Sequence, residues 1–228
     1  MKTAFIIATK NRPRELRRML QSLEDQSRRP DRIIIVDGSS ESAADPGTEY
    51  PGLSIDCIRC IPPSASRQRN VGLQRIPSDT DFVGFLDDDI ILKPGAIEAM
   101  ARFWDGASEK IAGAAFNMIN HPALAAAGIK TSALAERLGV YSSRKGAVLP
   151  SGFQTMIGIV DEDQEVDWIP TTAAVWRREF VGPDSFDEWF SGYSYLEDLE
   201  FSYRIRKNHR LAVISGARYE HWPAHSGR

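Results

Sequence analysis

An apolar run, Phe82-Val83-Gly84-Phe85-Leu86, stops abruptly at three consecutive carboxylates, Asp87-Asp88-Asp89, and resumes as Ile90-Ile91. A short run without polar alternation reads as a strand buried on both faces, as in a parallel sheet covered by helices. The carboxylates then sit at the carboxyl end of the strand, where open α/β sheets bind their ligands. Three adjacent acids repel one another, and a cation among them relieves that repulsion. Oxygen ligands of this kind suit Mg²⁺ or Mn²⁺, which bridge proteins to substrate phosphates.

The chain around this run alternates strand and helix. Strands are expected at Phe5–Thr9, Arg32–Val36, Ser54–Cys60 and Phe82–Leu86. Between them, Leu16, Met19, Leu20 and Leu23 give Arg14–Gln26 one apolar helical face, and Pro13 suits its first turn. Ser66–Arg75 and Pro94–Trp104 read as further helices. Such alternation implies a doubly wound, mostly parallel sheet with the helices on its faces. From about 117 to 167 the pattern weakens, with short helical stretches at Ala123–Ala127 and Ser132–Leu138, and an insertion or lid is expected there. Order returns at Trp168–Trp176, then a helix at Leu196–Lys207 and a last strand at Leu211–Ile214. One domain is expected, with 1–115 as a nucleotide-binding half and 116–228 as an acceptor-binding half.

Composition narrows the class of partner. A net charge of -3 over 228 residues leaves no basic footprint for nucleic acid. No stretch is long and apolar enough to span a bilayer. The opening Met1–Thr9 has too short an apolar run for a signal peptide. The chain therefore reads as cytoplasmic, with peripheral contact at the inner face of a membrane left open. Cys57 and Cys60 lie three apart on an expected strand, so they point to opposite faces and read as unrelated thiols.

Four constellations could carry chemistry, each with a blander reading. Asp37 follows the strand ending at Val36 and precedes Gly38-Ser39-Ser40. It could accept a hydrogen bond from a base or ribose, or simply close an Asx turn. Arg67 and Arg69 on a short helix near Ser64 could reach a diphosphate, or form a solvated basic face. Glu197-Asp198 in a helix first turn suit the helix dipole, and one of them could be a general base. Trp189, Tyr193 and Tyr195 just before them offer an apolar face on which an acceptor sugar ring could rest. His221, near the chain's end, could complete a divalent metal shell with the carboxylates, and His225 is a second candidate.

The order of these pieces resembles the family 2 glycosyltransferases with the GT-A fold. The resemblance rests on Ile6-Ile7-Ala8-Thr9-Lys10-Asn11-Arg12-Pro13, then Ile34-Ile35-Val36-Asp37-Gly38-Ser39-Ser40. Arg67-Gln68-Arg69-Asn70-Val71-Gly72, Phe85-Leu86-Asp87-Asp88-Asp89 and Tyr195-Leu196-Glu197-Asp198 follow in turn. Two departures stand out. The loop after Asp37 lacks a Thr-Asp ending, and Thr171-Thr172-Ala173-Ala174 replaces a Gly-rich segment.

The resemblance implies a nucleotide-sugar donor, UDP-linked by preference, and a divalent metal, Mn²⁺ or Mg²⁺. It implies inversion at the anomeric carbon, with a glycan, lipid-linked glycan or other hydroxyl compound as acceptor. Thr9, Arg12, Asp37, Arg67, Arg69, Asp87 and Asp88 would bind the donor. Asp89 and His221 would bind the metal, Asp198 would be the base and Glu197 would assist it. Two other readings stay open: a nucleotidyltransferase, and a non-catalytic module that binds nucleotide sugars or polysaccharide. The first strand's loop, Thr9 to Pro13, has no glycine-rich phosphate cradle, which weighs against the nucleotidyl reading.

Overall fold

A computed structural model describes residues 1–40, 46–120, 136–192 and 194–223. Strand β1 (Thr3–Thr9) feeds helix α1 (Pro13–Glu24), with Pro13 at its first position. Leu16, Met19, Leu20 and Leu23 are buried along one side of that helix, as the i, i+3, i+4, i+7 spacing requires. Strand β2 (Arg32–Asp37), a single turn of helix α2 (Pro46–Glu49) and strand β3 (Ile55–Arg59) follow. Helix α3 (Ala65–Leu73) leads to β4 (Phe82–Asp87), the short β5 (Ile90–Leu92) and α4 (Ala96–Gly106). The second half contributes β6 (Ile111–Met118), β7 (Gln164–Val166), β8 (Ala173–Arg177), α5 (Glu197–Arg206) and β9 (Arg210–His221).

The nine strands of the described residues join one sheet in the order β3-β2-β1-β4-β8-β6-β9-β5, with β7 pairing β9. Strands β3, β2, β1 and β4 run parallel, as the sequence implies. Beyond β4 the sheet is mixed: β8 is antiparallel to both β4 and β6, while β6 and β9 are parallel. Successive residues of a strand face opposite sides, and both sides are covered. Phe5, Ile7, Ile33 and Ile35 pack on one face with α1 and α4, while Ala4, Ile6, Ile34 and Val36 pack on the other. Continuous apolar runs are therefore required in the central strands, and they supply the apolar surface whose burial drives folding.

Gly84 marks a tight point in this sheet. It pairs with Phe5 across β1 and β4, and a Cβ at Gly84 would stand 1.9 Å from the buried Phe5 ring. The aromatic ring covers its cross-strand neighbour, so only glycine fits beneath it.

The sequence and the structure differ in places. Strand β6 is absent from the sequence reading because Ala-Gly-Ala-Ala carries little strand propensity; burial on both faces decides it instead. Strand β9 is longer than Leu211–Ile214 and reaches His221. Order resumes at Trp168, but only Ala173–Arg177 is strand. The segment at 123–127 lies outside the described residues, as does most of 132–138. In the expected insertion, a bridge between Val148 and Gln154 closes a small turn. Cys57 is exposed and Cys60 buried, in keeping with opposite faces. Among the described residues no helix is long and apolar enough to cross a membrane.

The packing at Gly84 makes a direct prediction. Gly84→Ala should lower unfolding free energy by about 1–3 kcal/mol through overpacking, measured by urea denaturation. Gly106→Ala, where a Cβ would meet nothing within 4 Å, should change it little; equal losses in the two variants would contradict the packing account.

Candidate active site

The ends of several elements converge on one cleft of about 400 Å³. Strand β1 brings Thr9 and the loop residues Lys10 and Arg12; β4 ends at Asp87-Asp88-Asp89; α3 contributes Gln68 and Arg69. Thr171 and Thr172 enter just before β8, Glu197 and Asp198 from the start of α5, and His221 from the end of β9. The volume falls within the usual range for small-molecule sites.

The three carboxylates have different surroundings. Asp88 points inward and is 2% exposed. Thr9 Oγ1 donates to its Oδ2 at 2.7 Å, and Arg12 Nη1 donates to its Oδ1 at 3.0 Å. Burial still dominates and pushes the Asp88 carboxyl up to about 6, against the opposing pull of Thr9 and Arg12. The same Arg12 nitrogen lies 3.3 Å from Asp89 Oδ2, so one guanidinium orders two acids of the triplet.

Asp87 and Asp89 are left facing His221. One donor atom from each of the three lies within 4.8 Å of the others, and His221 Nε2 is 3.0 Å from Asp89 Oδ1. The pairing of β5 with β9 explains the juxtaposition, because Ile90, the residue after the triplet, is in register with His221. Two carboxylates and an imidazole suit a divalent cation, and the nitrogen favours Mn²⁺ over the oxygen-seeking Mg²⁺.

Arg69 joins this cluster to the opposite wall. The residue is 6% exposed, and its guanidinium donates from Nη2 to Asp87 Oδ1 at 3.1 Å and from Nη1 to Glu197 Oε1 at 2.6 Å. Thr171 Oγ1 donates to the same Glu197 oxygen at 3.4 Å. Burial disfavours the charge on Arg69, but Glu197, Asp87 and Asp198 outweigh it and hold the group more firmly protonated than usual.

Asp198 sits beside this pair without sharing it. Its neighbour Leu196 adopts φ 72, a left-handed conformation that starts α5 abruptly at Glu197. The Leu199 backbone N–H donates to Asp198 Oδ1 at 2.7 Å. Burial, then the negative charge of Glu197, pushes Asp198 up to about 7. A carboxylate with that affinity for protons is suited to accept one near neutral pH.

Most of the residues expected from sequence line the cleft: Thr9, Arg12, Arg69, Asp87, Asp88, Asp89, Glu197, Asp198, Tyr195 and His221. Asp37 and Arg67 are not among the lining residues. Asp37 Oδ1 accepts from the Ser39 backbone N–H at 2.8 Å and from Ser39 Oγ, which is the Asx turn. Arg67 lies near Cys60, where burial pushes the thiol up against the opposing pull of the guanidinium. Trp189 is 81% exposed and lies outside the lining, while Tyr195, 71% exposed, stands at the rim. Tyr193 and His225 lie outside the described residues. Gln68, Gln154, Met156 and Trp168 also line the cleft and were not anticipated. Gln68 sits between two noted arginines; Gln154 and Met156 come from the irregular middle, where no periodicity points to them.

Comparisons with known proteins bear on the family and the fold. The family model described as glycosyl transferase family 2 matches residues 4–146, more than half of the chain. The uncharacterized glycosyltransferase YwdF of Bacillus subtilis (strain 168) is 35% identical over 103 residues, 45% of this chain and 38% of that protein. The succinoglycan biosynthesis protein ExoW of Rhizobium meliloti (strain 1021) is 32% identical over 111 residues, 44% of this chain and 34% of that protein. The matched region thus spans well under half the length of either relative. Among solved structures, S. aureus TarS 1-349 in complex with UDP superposes with a TM-score of 0.66 at 18% identity, covering 96% of this chain and 59% of that one. GalNAc-T7 with UDP, GalNAc and Mn²⁺ gives a TM-score of 0.66 at 14% identity, covering 100% of this chain and 44% of that one. At such identities these two establish the fold, which is GT-A. On the strength of the family match, the chain belongs to glycosyl transferase family 2.

Proposed function

We propose that this protein transfers a sugar from a nucleotide-sugar donor, UDP-linked by preference, to an acceptor hydroxyl with inversion at the anomeric carbon. The observation that carries the reading is one cleft holding a cluster suited to a cation, Asp87, Asp89 and His221, and a carboxyl poised near neutral pH, Asp198. Proteins of the same fold bound to UDP support the choice of donor. The acceptor is a glycan, a lipid-linked glycan or another hydroxyl compound. The Thr9–Pro13 loop contains no glycine, which weighs against the nucleotidyl reading.

A divalent cation held by Asp87, Asp89 and His221 would neutralise charge developing on the departing nucleoside diphosphate and fix its position. Asp198 accepts the proton of the acceptor hydroxyl as its oxygen attacks the anomeric carbon from the face opposite the leaving group. One base suffices, because the diphosphate departs without needing protonation. Glu197 is engaged by Arg69 and Thr171, so it orients the start of α5 and leaves Asp198 as the base. Both substrates in one cleft supply the orientation term.

Asp198→Asn should cut transfer, read as UDP released from a UDP-sugar with Mn²⁺, by about 10²–10⁴-fold, while UDP affinity stays within about twofold. Transfer at the parental rate would refute the assignment. The same variant has a stability signature. Because the folded state favours protonated Asp198 up to about pH 7, its contribution to stability is full below the ordinary aspartate range and is lost as pH rises through 7. Asn cannot ionise, so the variant should melt above the parent at pH 8, with the gap narrowing at pH 5 and closing only below the ordinary aspartate range. A gap that widens on acidification would place the shift in the wrong direction.

Metal dependence is tested separately. Asp89→Asn and His221→Ala should each weaken Mn²⁺ binding at least tenfold by isothermal titration calorimetry, and excess EDTA should stop UDP release in the parent. Undiminished turnover in EDTA would remove the cation from the proposal.

A further inference from the structure

The 146–156 segment doubles back on itself beside the cleft. The Leu149 N–H donates to Phe153 O and the Thr155 N–H to Ala147 O, both at 2.8 Å, and Val148 pairs with Gln154. The turn between them passes through Gly152 at φ 82, a left-handed conformation that suits glycine. Asp167 fastens this hairpin to the rest of the protein. Its Oδ2 accepts the Val148 N–H at 3.0 Å and the Arg144 guanidinium, and its Oδ1 lies 2.6 Å from Arg206 Nη2 on α5. Its own N–H donates to Gly146 O at 2.7 Å, and Trp168 Nε1 donates to Thr155 O at 3.1 Å.

The mounted segment carries more apolar surface than folding uses. Ala147 and Leu149 are buried, and Ile157 and Val160 pack into the core. Phe153 nevertheless is 69% exposed, and Met156 and Ile159 also face outward. Leu138 and Val140, likewise exposed, join them at the turn, because a Cβ at the intervening Gly139 would stand 3.2 Å from the Pro150 ring. Large apolar side chains gathered in this way mark an interaction surface. Their charged surroundings indicate the partner. From 137 to 160 the charged residues are Arg137, Arg144 and Lys145, with no acid, in a chain of net charge -3. Lys145 Nζ donates to Ile159 O, so its ammonium lies beside an exposed apolar residue. Asp167 pairs with both Arg144 and Arg206 and offsets only one of their charges. Two copies of a basic face repel each other. An anionic lipid surface suits it, taking apolar groups below its headgroups and cations among them.

We infer that this face docks on an anionic membrane surface, with Phe153 and Leu138 entering the lipid and Arg137 and Lys145 meeting the headgroups. Met156 belongs both to the exposed face and to the lining of the cleft, so the rim of the cleft is continuous with the docked surface. Docking brings that rim to the lipid, which favours the lipid-linked glycan among the acceptors. That consequence, unlike the docking itself, rests on the transferase reading above.

The test is co-sedimentation of the full chain with vesicles of phosphatidylcholine, alone or mixed in equal parts with phosphatidylglycerol. The parent should bind the mixed vesicles at least about tenfold more tightly, since each basic residue at an anionic surface contributes about fivefold. Added salt should shrink that difference. Phe153→Ser and Leu138→Ser should each weaken binding about tenfold, while the melting temperature and UDP release from a UDP-sugar stay parental. Absence of parental binding to the mixed vesicles overturns the proposal without recourse to any variant. Equal binding to the two kinds of vesicle overturns it, as does undiminished binding in both variants. A dimer that Phe153→Ser dissolves, with no vesicle binding, would assign the face to a second copy instead. Vesicle binding is read without UDP, so its failure is distinct from a failure of the transferase reading, which would show as absent UDP release.

Discussion

The buried guanidinium of Arg69 holds the two halves of the site in one geometry. It spans Asp87 at the end of β4 and Glu197 at the start of α5. Removing either partner of a buried ion pair leaves a charge without compensation, a far larger loss than the net worth of the intact pair. The next residue repeats the connection with neutral groups. Asn70 Nδ2 donates to Phe186 O at 2.8 Å, and the Phe186 N–H donates to Asn70 Oδ1 at 3.0 Å. Two consecutive residues of α3 thus clasp the second half of the chain to the first. This clasp ties the Asp87–Asp89–His221 cluster to the start of α5 that carries Asp198.

Asp88 and Asp198 show one physical cause serving two ends. Burial raises the proton affinity of both carboxyls. Asp88 is enclosed by Thr9 and Arg12, so its energy goes into fixing the β1 loop and, through Arg12, the orientation of Asp89. Among the described residues, Asp198 accepts from the Leu199 backbone N–H and from no side chain, and it stands on the wall of the cleft. The difference between an anchor and the proposed base is made by neighbours.

Much of this was readable in the residues themselves. The central parallel strands announce themselves because burial on both faces forces unbroken runs such as Ile33-Ile34-Ile35-Val36. The acid triplet marks a strand end, and its distance in sequence from Glu197-Asp198 is bridged by the order of the family motifs. What the sequence hides depends on long-range register. Strand β6 is built from small residues that suit any secondary structure, and its identity comes from neighbours on both sides. Local pattern does not reveal that Ile90 pairs with His221, or that Arg69 joins Asp87 to Glu197. Asp37 illustrates the converse: the residue type suits a ligand contact, but the backbone two residues on satisfies one of its oxygens first.

The central claim is a single displacement with Asp198 as the one base, and its stereochemistry exposes it directly. Water can stand in for the unidentified acceptor. When a UDP-α-sugar that the protein turns over is hydrolysed with Mn²⁺, the first free sugar should be the β-anomer, seen by proton NMR before mutarotation mixes the two forms. Initial release of the α-anomer would mean two displacements or front-side attack, and would contradict the account.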